Sequence, residues 1–151
     1  MTELPRTLTS NGTEQTEQAG RSLAELISQD SSLPRFVALY GDLGVGKTAF
    51  VRGFTLFFAK NARVKSPTFA LVNEYKGESV TVFHFDMYRI TDEDELYSIG
   101  FYDYMDRGGI ALVEWSENIE YALPQEYFSV KIEKCPMQSP DTRKITLELI
   151  K

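Results

Sequence analysis

Lys47 and Thr48 close the stretch Gly41-Asp42-Leu43-Gly44-Val45-Gly46-Lys47-Thr48, whose residue types and spacing match the phosphate-loop pattern GxxxxGK[ST]. Its three glycines let the backbone fold round an anion through conformations that a side chain hinders. The inward-facing amides and the positive end of a following helix favour phosphate, the Lys47 ammonium reaches the β- and γ-phosphates, and the Thr48 hydroxyl can ligate Mg²⁺. Two acids stand where later strands should end. Glu114 follows Ile110-Ala111-Leu112-Val113, the four-apolar-plus-acid form of a Walker B strand, and Asp86 ends the apolar part of the alternating run 79–88. Glu114 is assigned to Mg²⁺ and Asp86 to the attacking water or the γ-phosphate side; the reverse assignment stays open. His84 shares the strand face of Asp86, so the two should emerge side by side near the strand's end. It suits a core or edge role as well as it suits catalysis.

The elements that must hold these groups are legible around them. The apolar run 35–40 precedes the glycine turn, and a helix over 47–60 follows it, with Phe50, Val51, Phe54, Phe57 and Phe58 on its apolar face. Upstream, Asn11 and Glu14 resemble a helix start, and Ala19, Leu23, Leu26 and Ile27 carry a first helix over 12–29. Ser66-Pro67-Thr68 is a polar loop before a hairpin of 69–75 and 79–88, turned across Lys76-Gly77-Glu78. Thr91 and Asp94 read as a capping box that opens a short acidic helix stopped by Gly100, and 101–106 reads as another short helix. A helix after Trp115 runs to Leu123, and two alternating runs, 127–133 and 143–150, close the chain as a hairpin. The pattern implies an α/β fold of phosphate-loop NTPase type. Its central sheet is mostly parallel, with 35–40 beside 110–114, antiparallel hairpins at the edges and helices on both faces.

Composition narrows the class. The 151 residues fit one domain, 1–151, and 42% hydrophobic with 25% charged residues is ordinary for a soluble globular protein. A formal net charge of −6 argues against strong direct nucleic-acid binding, because neutralising many phosphates needs a basic surface. No apolar span approaches the roughly eighteen residues a membrane helix needs, and the first residues lack a signal-peptide pattern, so a cytoplasmic location is expected. Cys135 is the only cysteine, which excludes an internal disulfide and a cysteine-rich zinc site.

The phosphate loop, Lys65-Ser66-Pro67-Thr68-Phe69, His84-Phe85-Asp86-Met87-Tyr88-Arg89 and Val113-Glu114-Trp115, in this order in a chain this short, resemble the TsaE (YjeE-type) ATPases of bacteria. The resemblance covers nearly the whole chain. It implies an ATP- and Mg²⁺-dependent role, with ADP as product, in threonylcarbamoyl modification of the tRNA adenosine next to the anticodon, together with the proteins TsaD and TsaB. It also implies that Lys47 and Thr48 hold phosphates and Mg²⁺, that Glu114 serves the metal, that Asp86 is needed for hydrolysis and that Trp115 lies near the nucleotide. The nucleotide contacts expected on this basis are Asp42, Leu43, Gly44, Val45, Gly46, Lys47, Thr48, Ala49 and Trp115. Thr13, Thr16 or Arg143 would lie toward the adenine, and Ser66 and Thr68 would sit in a switch-like loop. The alternative is a small-molecule or nucleotide kinase on the same fold. Such enzymes usually bring several arginines to the phosphates from a lid, and Arg143 is the only arginine beyond Glu114. A third reading is a nucleotide-binding switch without meaningful turnover.

Overall fold

In the computed structural model, which describes residues 4–42, 44–67 and 71–151, the chain runs β1 (Arg6–Ser10), α1 (Thr13–Gln29), β2 (Phe36–Tyr40), α2 (Lys47–Phe58), β3 (Val72–Lys76) and β4 (Thr81–Asp86), then α3 (Glu93–Ser98), α4 (Phe101–Asp106), β5 (Ile110–Glu114), a 3-10 segment (Ser116–Ala122), β6 (Tyr127–Lys134) and β7 (Arg143–Ile150). The strands form one sheet in the order β1-β7-β6-β2-β5-β4-β3. Its middle, β6-β2-β5-β4, is parallel, while β7, β1 and β3 join antiparallel at the two sides. The central strands are apolar throughout β2 and up to the terminal Glu114 of β5 because both of their faces are covered, and every residue of β5 is buried.

Strand alternation divides the core in two. Val37, Leu39, Leu112 and Val130 face α1 and α2, whereas Phe36, Ala38, Phe85 and Val113 face α3 and α4. Helices therefore cover both faces, β2 lies directly beside β5, and the two hairpins supply the antiparallel margins, in the α/β arrangement expected. No helix among the described residues is long and apolar enough to cross a membrane.

Three local readings change. β1 was not anticipated: Leu8 is its only large apolar residue, and alternate residues of this edge strand face solvent. The capping box shifts by one residue, since Asp92 rather than Thr91 caps α3. Asp92 accepts from the Glu95 amide at 2.9 Å while Glu95 accepts from the Thr91 amide at 3.1 Å, so Glu95 fills the place expected of Asp94. The expected strand start at 69–70 lies outside the described residues, and β3 as described opens at Val72.

α1 packs closely against α2, and that close approach depends on glycine. A Cβ at Gly53 would stand 1.8 Å from the Glu17 carbonyl oxygen, and one at Gly20 would stand 2.1 Å from that of Phe50. Gly53→Ala should therefore destabilise the protein by about 1–3 kcal/mol through overpacking. Urea unfolding checks this, and an unchanged midpoint would show that α1 shifts outward at no cost.

Candidate functional site

The chemistry-bearing side chains converge at the carboxyl ends of β2, β5 and β4, the edge where open α/β sheets bind ligands. Gly46, in the left-handed region at φ 109°, turns the chain into α2, which begins at Lys47. A cleft of about 480 Å³ opens there, lined by Gly44, Gly46, Lys47, Thr48, Ser66, Pro67, Leu71, Asp86, Tyr88, Arg89, Glu114 and Trp115.

Lys47 is only 5% exposed, so its ammonium needs partners. It donates to the Gly41 carbonyl at 2.6 Å, lies 3.8 Å from Glu114 Oε1 and sits 4.9 Å from the centre of the Trp115 ring. Glu114 is also buried, and its second oxygen, Oε2, is 2.5 Å from His84 Nε2. Asp86 is the register partner of Glu114 on β4 and accepts from the Tyr88 amide at 3.0 Å. Thr48 and Ser66 share a hydroxyl–hydroxyl bond of 2.9 Å, which ties the loop before β3 to the start of α2. Trp115 adopts a left-handed backbone (φ 59°, ψ 41°) that lays its indole against Tyr88, 5.1 Å between ring centres, at the cleft wall.

Burial pushes the Asp86 carboxyl above its ordinary range; the Glu114 charge adds to this, while the Tyr88 amide, His84 and Lys47 oppose it. A carboxyl raised on folding contributes stability that is fully present below its unfolded pKa and is lost as pH rises through its folded pKa. Asp86→Asn is neutral throughout, so it should raise the Tm of nucleotide-free protein near pH 7 and flatten its decline from acid to neutral pH. A lower Tm across that range in thermal unfolding would contradict this.

On the far side of the glycine turn lies a second hollow of about 150 Å³, lined by Gly12, Thr13, Thr16, Gly44, Val45, Gly46, Ala49, Asp141 and Arg143. Thr16 is buried, with its hydroxyl 2.7 Å from that of Ser10, and Arg143 Nε donates to the Val45 carbonyl at 2.9 Å. Gly44 and Gly46 line both hollows, so an elongated ligand could reach from the acids to Thr13 and Thr16 only by crossing the turn. Asp42 is exposed outside both hollows, and Leu43 and Thr68 lie outside the described residues.

A family model described as "Threonylcarbamoyl adenosine biosynthesis protein TsaE" matches residues 10–145. The chain belongs to the TsaE family. TsaE relatives named "tRNA threonylcarbamoyladenosine biosynthesis protein TsaE" include those of Haemophilus influenzae, 39% identical over 76% of this chain and 73% of its own, and Bacillus subtilis, 35% identical over 86% and 79%. The Rickettsia conorii TsaE is 37% identical over 78% of this chain and 67% of its own. The crystal structure of Bacillus subtilis YdiB is similar to this structure with a TM-score of 0.68 and 29% identity, covering 97% of this chain and 87% of that one.

Three features of this TsaE-family chain escaped the sequence reading. His84 takes the core role left open for it, but it does not emerge beside Asp86, and its contact with Glu114 on the neighbouring strand was not foreseen. Tyr88 and Arg89 line the cleft, a placement that their spacing two and three residues after Asp86 could have signalled. Arg143 clamps the glycine turn through backbone, a contact no local pattern announces.

Proposed function

We propose that this TsaE-family chain is a cytoplasmic, Mg²⁺-dependent ATPase that supports threonylcarbamoyl modification of tRNA adenosine next to the anticodon, hydrolysing ATP in complex with TsaD and TsaB. One observation carries the reading: the Lys47 ammonium, the Thr48 hydroxyl and the Asp86 and Glu114 carboxyls all line one cleft at the lip of the glycine turn. The turn's amides and the start of α2 bind the phosphates, and Lys47 exchanges its contact with the Gly41 carbonyl for the β- and γ-phosphates. Asp86 orients the attacking water and takes its proton; a carboxyl raised by burial is a better base than an ordinary one. The cleft-lining oxygens of Thr48 and Glu114 are hard donors that suit Mg²⁺, which would supply charge neutralisation at the phosphates. Ser66 would release Thr48 when that hydroxyl turns to the metal, coupling the 65–67 loop to the ligand state.

The net charge of −6 agrees with action through protein partners rather than by gripping tRNA. ATP turnover measured alone, with small hydroxyl-bearing acceptors and with the TsaD–TsaB pair tests the proposal. Turnover that rises with the pair supports it, and phosphate transfer to a small acceptor would favour a kinase instead.

Trp115 gives a direct binding signal. It is the only tryptophan, and it stacks over the lysine that would meet the phosphates. Its emission should change and saturate on titration with ADP or ATP plus Mg²⁺. A calorimetrically saturated sample with unchanged emission would remove Trp115 from the site.

A further inference from the structure

We infer that His84 is a positioning residue for Glu114: by holding Oε2 beneath the cleft it leaves Oε1 as the one oxygen that Glu114 presents to the phosphate site. The inference rests on the phosphate-site reading above and goes beyond it by giving a role to the protein's only histidine.

His84 occupies a place that packing alone would fill with an aliphatic side chain. It is 0% exposed in the middle of β4, with Val82 before it on the same face and Leu112 as its register partner, both fully buried. An imidazole there gives up the hydration of two nitrogens and recovers little. Nδ1 has no hydrogen-bond partner among the described residues, and the only bond the ring makes is from Nε2 to Glu114. Buried polar groups are normally satisfied, so a ring kept for a single contact points to that contact as its purpose.

The geometry gives the contact a consequence. The 2.5 Å separation of a ring nitrogen and a carboxyl oxygen is a hydrogen bond, and with the Lys47 ammonium 3.8 Å from the other oxygen favouring a carboxylate, the geometry assigns Nε2 as its donor. The other oxygen, Oε1, faces Lys47 at 3.8 Å. Held at one end by His84 and drawn at the other toward Lys47, the carboxylate cannot swing both oxygens into the cleft. It can therefore offer a cation one oxygen, as Mg²⁺ sites commonly require of each carboxylate. Groups that orient a metal-binding side chain in this way typically change metal affinity 10- to 100-fold when removed.

Two measurements decide it. In ¹⁵N-labelled, nucleotide-free protein the single imidazole should show its proton on Nε2, hydrogen-bonded and slow to exchange; a proton on Nδ1 with a bare Nε2 would overturn the inference without reference to nucleotide. The second is a Mg²⁺ titration at fixed ATP followed by Trp115 emission and calorimetry. His84→Phe cannot donate, and it should bind ATP in EDTA like the wild type yet need about 10- to 100-fold more Mg²⁺ for the Mg²⁺-dependent gain. His84→Gln, whose amide can donate, should fall between the two. A folded His84→Phe protein with the wild-type Mg²⁺ midpoint, or a Gln variant no better than Phe, would overturn it. Should His84→Phe fail to fold, the wild-type imidazole spectrum decides. A wild type that binds no ATP would sink the phosphate-site reading, and the spectrum would still settle whether His84 holds Glu114.

Discussion

Asp86→Asn should slow ATP hydrolysis by about 10²- to 10⁴-fold, the usual contribution of a positioned general base, while ATP binding stays close to that of the wild type. The asparagine can keep the 3.0 Å bond from the Tyr88 amide through its side-chain oxygen, so the loop after β4 should not move. What it loses is the ability to take a proton. Single-turnover phosphate release beside a calorimetric Kd separates the two effects. Turnover near the wild-type rate would remove Asp86 from the chemistry and bring forward the reverse assignment, with Glu114 at the water. Because the same substitution also removes a half-buried charge next to Glu114, the protein that hydrolyses least should be the one that melts highest, a trade common at active sites.

Lys47→Ala should act on binding instead. A charge-assisted hydrogen bond contributes about 1.5–3 kcal/mol, so loss of the ammonium should weaken ATP binding by roughly 10- to 150-fold. The substitution also reaches the acids. Glu114 loses the cation 3.8 Å from Oε1, and Asp86 loses one of the charges that hold its carboxyl down, so its pKa should rise further. The Trp115 response at a fixed ATP concentration should shrink in step with the calorimetric affinity. An unchanged Kd would mean that Lys47 stays on the Gly41 carbonyl and never meets the phosphates.

How much was legible follows from the range over which each signal acts. The strand–turn–helix unit at 36–58, the buried strand Ile110–Glu114 and the closing hairpin were readable because periodicity and turn chemistry are local. β1 was not readable: it is an edge strand held by pairing with β7 at the other end of the sequence. At the start of α3, Thr91 and Asp92 are both competent caps, and only the backbone decides that Asp92 takes the role. The site divides in the same way. Lys47, Thr48, Asp86 and Glu114 announce themselves by motif, whereas the His84–Glu114 bond depends on how β4 and β5 are registered across 30 residues of sequence, and the Arg143 clamp on Val45 spans 98.

That clamp has a bearing on how the protein is made. A nascent chain can form α1, β2 and α2 early on the ribosome, but β2 gains its neighbours β5 and β6 late, and Arg143 of β7 reaches the Val45 carbonyl later still. Until then the strand that carries the glycine turn has two bare edges, and β1 waits for its partner β7. Contacts this distant in sequence slow folding and leave aggregation-prone edges exposed during synthesis. The glycine turn is therefore clamped by a residue 98 positions downstream of it rather than by its own motif alone, and a polypeptide lacking Arg143 would carry the complete phosphate-loop sequence without that clamp.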